Sequence, residues 1–286
     1  MQDFSGKVAV ITGGASGIGN AVATRLGKEG MKLVLADIDG PRLDAAVDKL
    51  RTSGADVTGV VADVSKLESI ETLCEKAHSA YGNVHVLHNN AGVLGPLAVP
   101  AWETTERDWQ WMMGVNFWSV VHGIRVFVPR MLAHGEEGHI VNTASSAGIA
   151  HSSTIYGVTK HAVVAVSEYL YFNLKQANAN IGVTALCPGV LATNLPANSP
   201  RVRPEGLRNE SAPSEIEQQR QVGFAENLAR GKPPELAADM VFEAIRDQRF
   251  WVTTDSDWDE RFSSRFDSIL QRRNPESQTP VRQSAT

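Results

Sequence analysis

Short, strongly β-branched runs alternate with stretches of helical period along most of this chain, and that alternation constrains its fold more than any other feature. Val8 to Ile11 is followed by a helix from about Gly17, Leu33 to Ala36 by Leu43 to Leu50, and Val57 to Val61 by Leu67 to Ala80. The rhythm continues through Val84 to Leu87, a long helical region near Asp108 to Leu132, Ile140 to Asn142, a helix from about Ile155 to Gln176, and Val183 to Leu186. Strands apolar along their whole length are buried on both faces, and helices between them imply right-handed crossovers in a parallel sheet. The expected class is α/β, a single doubly wound parallel sheet flanked by helices.

The pattern changes after Pro188. Between residues 194 and 234 stand Pro196, Pro200, Pro204, Pro213, Pro233 and Pro234 among many polar residues, which predicts a mobile loop at the substrate side. A helix near Glu235 to Arg246, a strand near Phe250 to Thr253 and a helix near Asp259 to Gln271 complete one expected domain over residues 1–272. The polar, Pro-containing stretch 273–286 is expected to be a disordered tail.

Composition narrows the partners. A formal charge of -5 with scattered basic residues gives no footprint for a phosphate backbone, so nucleic acid is not expected. Two cysteines, Cys74 and Cys187, form no C-x-x-C pair and no disulfide framework, as in a reducing compartment. The start, Met1 to Gly6, lacks the basic and long apolar regions of a signal peptide, and no run reaches the ~18 apolar residues that would span a bilayer. A cytoplasmic location without membrane contact is the expectation.

Directly after the first strand comes Thr12-Gly13-Gly14-Ala15-Ser16-Gly17-Ile18-Gly19, opening a helix. Glycines there permit a tight turn and close backbone approach, and a helix N-terminus offers free N–H groups to a pyrophosphate. Gly13, Ser16, Gly17, Ile18 and Gly19 are therefore candidate cofactor-binding residues. Asp37 ends the second strand, where a carboxylate can accept both adenosine ribose hydroxyls and repel a 2′-phosphate, favouring NAD over NADP. A helix-capping role competes for that region, although Asp39, just before Pro41, could supply the cap equally well.

Taken in order, these residues and several later ones resemble the short-chain dehydrogenase/reductase family. The later ones are Asp63-Val64, Asn89-Asn90-Ala91-Gly92, Asn116, Ser145, Tyr156-Gly157-Val158-Thr159-Lys160 and Pro188-Gly189 with Thr193. The resemblance runs from about Lys7 to Thr193 and more loosely to Pro275. It implies a Rossmann-like fold, a nicotinamide cofactor, a small-molecule alcohol or ketone substrate and a homo-oligomer, tetramer or dimer. It also implies that Asp63 and Val64 bracket the adenine, that Asn90, Ala91 and Gly92 line the cofactor cleft, and that Pro188, Gly189, Val190 and Thr193 hold the nicotinamide. Asn116 would distort its helix and hold a water linked to Lys160, and Lys160 would bridge to the nicotinamide ribose.

Tyr156 and Lys160 are four apart, so on a helix they share one face. A nearby ammonium stabilises phenolate, so Tyr156 is expected below its ordinary value of about 10 and able to exchange a proton with the substrate oxygen. Ser145 follows a strand at the sheet's carboxyl edge, where its hydroxyl could steady that oxygen; Ser146 is the alternative. Catalytic candidates are thus Ser145, Tyr156, Lys160 and Asn116. His151 and His161 are not assigned chemistry, and His85 and His88, three apart on a strand, cannot chelate one metal. No metal is expected. Leu94, Trp102, Ala147, His151, Leu191 and Leu195 are expected to border a fairly apolar substrate pocket. The expected function is an NAD-linked hydride transfer between a secondary alcohol and its ketone. The alternatives are an epimerase or other chemistry on the same scaffold, or a non-catalytic NAD(H)-sensing protein. A Ser-His-Asp hydrolase is disfavoured because no G-x-S-x-G elbow is present.

Overall fold

A computed structural model of the chain describes residues 1–275; the part of the expected tail at 276–286 lies outside the described residues. Seven strands form one sheet in the order β3-β2-β1-β4-β5-β6-β7. They are β1 (Val8–Thr12), β2 (Lys32–Asp37), β3 (Val57–Val61), β4 (Val86–Asn89), β5 (Gly138–Thr143), β6 (Ile181–Cys187) and β7 (Trp251–Thr253). Every pairing is parallel. The order reverses between β1 and β4, which opens a crevice at their carboxyl ends where ligands bind in such sheets.

Alternation along β1 explains the two layers of helices. Ala9 and Ile11 pack on one face with α1 (Gly17–Lys28), α2 (Gly40–Thr52) and α9 (Pro234–Asp247). Val8 and Val10 pack on the other with α3 (Leu67–Tyr81), α5 (Ser119–His134) and α6 (Ile155–Gln176). The expected long helix near Asp108 to Leu132 is instead α4 (Glu106–Met113), one π-helical turn (Gly114–Trp118) and α5. Pro129 lies inside α5.

The expected loop at 194–234 is largely helical: α7 (Leu195–Val202), a 3-10 turn (Glu205–Leu207) and α8 (Glu215–Ala229). Pro196 lies in α7's first turn, where its missing N–H leaves no extra unpaired group, so that proline opens a helix instead of breaking one. The last helix, α10 (Asp259–Leu270), follows β7. Among the described residues no helix is long and apolar enough to cross a membrane.

Candidate active site

One cleft of about 1060 Å³ runs along the carboxyl edge of the sheet, larger than the usual range for drug-sized pockets and able to take a dinucleotide with a second molecule. At its floor, backbone approaches backbone. Gly13 has φ +64° and Gly17 φ +54°, conformations that favour glycine. A Cβ on Gly13 would stand 3.0 Å from the Ala91 Cα, and one on Gly19 would stand 2.4 Å from the Gly13 carbonyl oxygen. Ser16, the N-cap of α1, makes no side-chain capping bond. The first turn of α1 therefore offers its amides at a wall that a side chain would obstruct, a cradle suited to a pyrophosphate.

The turn is braced across the crevice. Thr12 Oγ1 accepts the amides of Asn90 (2.9 Å) and Ala91 (3.1 Å), and Asn90 Nδ2 donates to the Thr12 carbonyl (2.9 Å). Asp37 accepts the amides of Ala15 and Asp39, each at 3.1 Å, and burial pushes its carboxyl above the ordinary range against those amides. Asp39, not Asp37, caps α2, so the competing capping role falls away from Asp37. Asp63 Oδ1 accepts both the amide and the hydroxyl of Ser65, and Val64 and Gly92 line the cleft nearby.

Tyr156 and Lys160 rise from the first turns of α6, whose N-cap Thr154 accepts the Gly157 amide. The Lys160 Nζ is 5.6 Å from the centre of the Tyr156 ring and donates to the Thr143 carbonyl at 2.8 Å. Lys160 is only 2% exposed, and desolvation pulls its ammonium down to about 8. Burial likewise pushes the Tyr156 hydroxyl up to about 12, opposed by a hydrogen bond with Ser145. In the chain alone it is burial that sets the direction for Tyr156, upward and not downward as the spacing suggested, and the opposing contribution comes from Ser145.

Ser145 faces the cleft and accepts the Ala147 amide at 3.1 Å; Ser146 is buried and donates to the Cys187 carbonyl. The two serines are thus separated by geometry. Asn116 sits within the π-helical turn, fully buried. Its Oδ1 accepts the Val93 amide at 2.8 Å, and its Nδ2 donates to the Val93 carbonyl and to Thr159 Oγ1. It therefore clamps the loop after β4 against α6 and does not line the cleft.

The segment after β6 is held from outside: Lys232 donates its amide to the Val190 carbonyl, and Thr254 Oγ1 accepts the Gly189 amide. That places Pro188, Gly189, Val190 and Thr193 on the cleft wall, with Leu94, Ala147, His151, Leu191 and Leu195 farther along it. The His151 Nε2 is buried there without a hydrogen-bond partner among the described residues. Trp102 does not border the cleft; it is 85% exposed on the loop before α4, where no neighbouring element covers it. Gly19 lies beneath the turn, not in the wall.

Comparison with known proteins turns this geometry into a family assignment. The family model described as short chain dehydrogenase matches residues 7–203. The chain belongs to the short-chain dehydrogenase/reductase family. Its relatives include a "CLA biosynthesis dehydrogenase/reductase" of Lactiplantibacillus plantarum, 33% identical over 94% of this chain and 95% of that protein. Another is a "1-deoxy-11-beta-hydroxypentalenate dehydrogenase" of Streptomyces avermitilis, 35% identical over 92% of this chain and 90% of that protein. A crystal structure of a short chain dehydrogenase/reductase from Burkholderia phymatum in complex with NAD is 42% identical, with a TM-score of 0.94 over 98% of this chain and 100% of the other.

Several cleft residues were not foreseen in the sequence: Arg42, Trp111, Arg220, Phe224, Leu228, Trp258 and Arg261. Only Arg42, five places after Asp37, stood beside a recognised motif.

Proposed function

We propose that this family member is an NAD-dependent oxidoreductase interconverting a secondary alcohol and its ketone, with Tyr156 as the proton-transfer residue. The observation that carries this reading is the meeting of the Tyr156 and Ser145 hydroxyls, with Lys160 behind the ring, in the same cleft as the glycine cradle and Asp37. Gly13, Ser16, Gly17 and Ile18 would hold the pyrophosphate, Asp37 the adenosine ribose, and Gly189 to Thr193 the nicotinamide. When bound, NAD supplies the two-electron acceptor or donor. Ser145 holds the substrate oxygen by hydrogen bond. Tyr156 gives its proton to that oxygen in reduction and takes the hydroxyl proton in oxidation. A hydroxyl held near 12 stays protonated, the form that donates in reduction; oxidation needs phenolate, which positive charge beside the ring favours, and the Lys160 Nζ stands 5.6 Å from its centre.

Asp37 supports NAD over NADP, since a carboxylate repels a 2′-phosphate. The arginines at this end are engaged with Asp39: Arg42 at 3.4 Å and Arg201 at 3.9 Å. The NAD-bound neighbour and the relative named for a hydroxylated pentalenate support the cofactor and the alcohol class.

Removing the Tyr156 hydroxyl in Tyr156→Phe should lower turnover by about 10²- to 10⁴-fold while leaving NADH binding intact. Secondary alcohols assayed with NAD and with NADP, read at the nicotinamide absorbance, provide the measurement. Undiminished turnover in Tyr156→Phe would refute the role of Tyr156, and a strong preference for NADP would refute that of Asp37.

A further inference from the structure

Beyond the reacting hydroxyls, α8 and α10 extend the cleft. Arg220, Phe224 and Leu228, each four residues apart, form one stripe of α8 that lines it. The rotation of that helix is fixed by Glu217, only 3% exposed, whose carboxylate accepts the amides of Leu97 (2.9 Å) and Ala98 (2.6 Å) and the side-chain amide of Gln221 (2.7 Å). From α10 and the residue before it come Arg261 and Trp258, the guanidinium carbon 4.8 Å from the indole centre.

The cleft carries charges of both signs, Arg42 and Arg201 being engaged with Asp39. Its acidic lining residues, Asp37, Asp39 and Asp63, all belong to the nucleotide end. Later in the chain no carboxylate lines it among the described residues, while Arg220 on α8 does. Asp255 lies buried behind Gly189, 3.9 Å from the Lys232 ammonium, and is not part of the wall. Arg220 on the same helix stripe as Phe224 and Leu228 describes a receptor for an amphipathic anion. Guanidinium groups take carboxylates through two parallel hydrogen bonds.

Resting on the oxidoreductase reading above, we propose that the substrate is an apolar secondary alcohol or ketone that carries a carboxylate remote from the reacting carbon. Arg220 receives that carboxylate. Phe224, Leu228 and Trp258 cover the apolar body.

Binding rather than turnover tests this. The Tyr156→Phe protein, saturated with NAD, is titrated with ricinoleate, with lithocholate, and with the methyl ester of each, following tryptophan fluorescence. Because Arg220 is exposed, the expected preference is modest: at least one acid binds about five- to tenfold more tightly than its ester at low salt, and less so at high salt. Arg220→Gln brings that acid down to the affinity of its ester. Equal affinity of acid and ester in both pairs, failure of both acids to bind, or a preference surviving in Arg220→Gln overturns the proposal. Failure of the underlying reading looks different: compounds that bind the NAD complex are then left unoxidised by the wild-type enzyme.

Discussion

Lys160 shows how much a single position can be asked to do. Its ammonium is buried, its ordinary value of 10.5 falls to about 8, and its Nζ bonds to the Thr143 carbonyl. Between about 8 and 10.5 the unfolded chain holds a proton that the folded chain releases, so stability rises with pH across that window. Below about 8 the penalty is present in full. Lys160→Met should therefore raise the melting temperature of the cofactor-free protein by a few degrees near pH 7. The gain is a net ~1–2 kcal/mol after the lost bond to Thr143, and it shrinks as pH approaches 10.5. Thermal melts at several pH values measure it; a variant melting lower throughout would mean that the bond to Thr143 outweighs the burial. The spacing of Tyr156 and Lys160 was visible in the chain, but the direction of the Tyr156 shift was not, because desolvation is a property of the packed α6 and not of a four-residue interval. Asn116 repeats the lesson: its type and place marked it, yet its clamp on Val93 depends on the loop after β4 arriving beside the π-helical turn.

Among the elements, α8 was the hardest to foresee and contributes most to the substrate end. Its sequence, Glu215 to Ala229, scatters Ile216, Val222, Phe224 and Leu228 without a clean apolar stripe, and it sits among prolines that suggest a loop. What holds it is tertiary: the buried Glu217 carboxylate reaches back over a hundred residues to Leu97 and Ala98. A second tie lies nearby, where Arg203 pairs with buried Asp108 at 2.9 Å and covers the Trp111 ring. The strands and α1, α2, α3 and α6 were legible because their periodicity answers to a sheet that each of them touches directly. Replacing Glu217 by Leu leaves two amides without their acceptor and should destabilise the protein by about 1–3 kcal/mol. Hydrogen exchange at Leu97 and Ala98 should quicken more than at β1, and the KM for substrate should rise more than kcat falls. Unchanged protection at those two amides would show that α8 is held by something else.

Across the whole molecule, the sheet buries two histidines on adjacent strands, and they govern its response to acid. His88 on β4 and His139 on β5 each set Nε2 against a threonine hydroxyl of the next strand, Thr143 and Thr184, at 2.8 Å. Desolvation lowers both to about 3 from an ordinary 6.5, so both remain neutral in the fold. As pH falls below 6.5 the unfolded chain takes up a proton at each of these two positions that the native chain refuses. From these two groups alone stability should then decline by about 2.7 kcal/mol per pH unit, since each contributes about 1.4. Over two units that approaches the whole stability of an ordinary domain, so cooperative acid unfolding is expected near pH 4 to 5. Urea midpoints at pH 6.5, 5.5 and 4.5 measure the slope. His139→Asn lowers stability at neutral pH through lost packing against Gly182, which is why the slope and not the midpoint is the informative quantity. That slope should fall in His139→Asn and fall again when His88→Asn is added, leaving the smaller share of His85, His122 and His161, which burial also lowers; a slope unchanged in the double variant would place the acid sensitivity elsewhere.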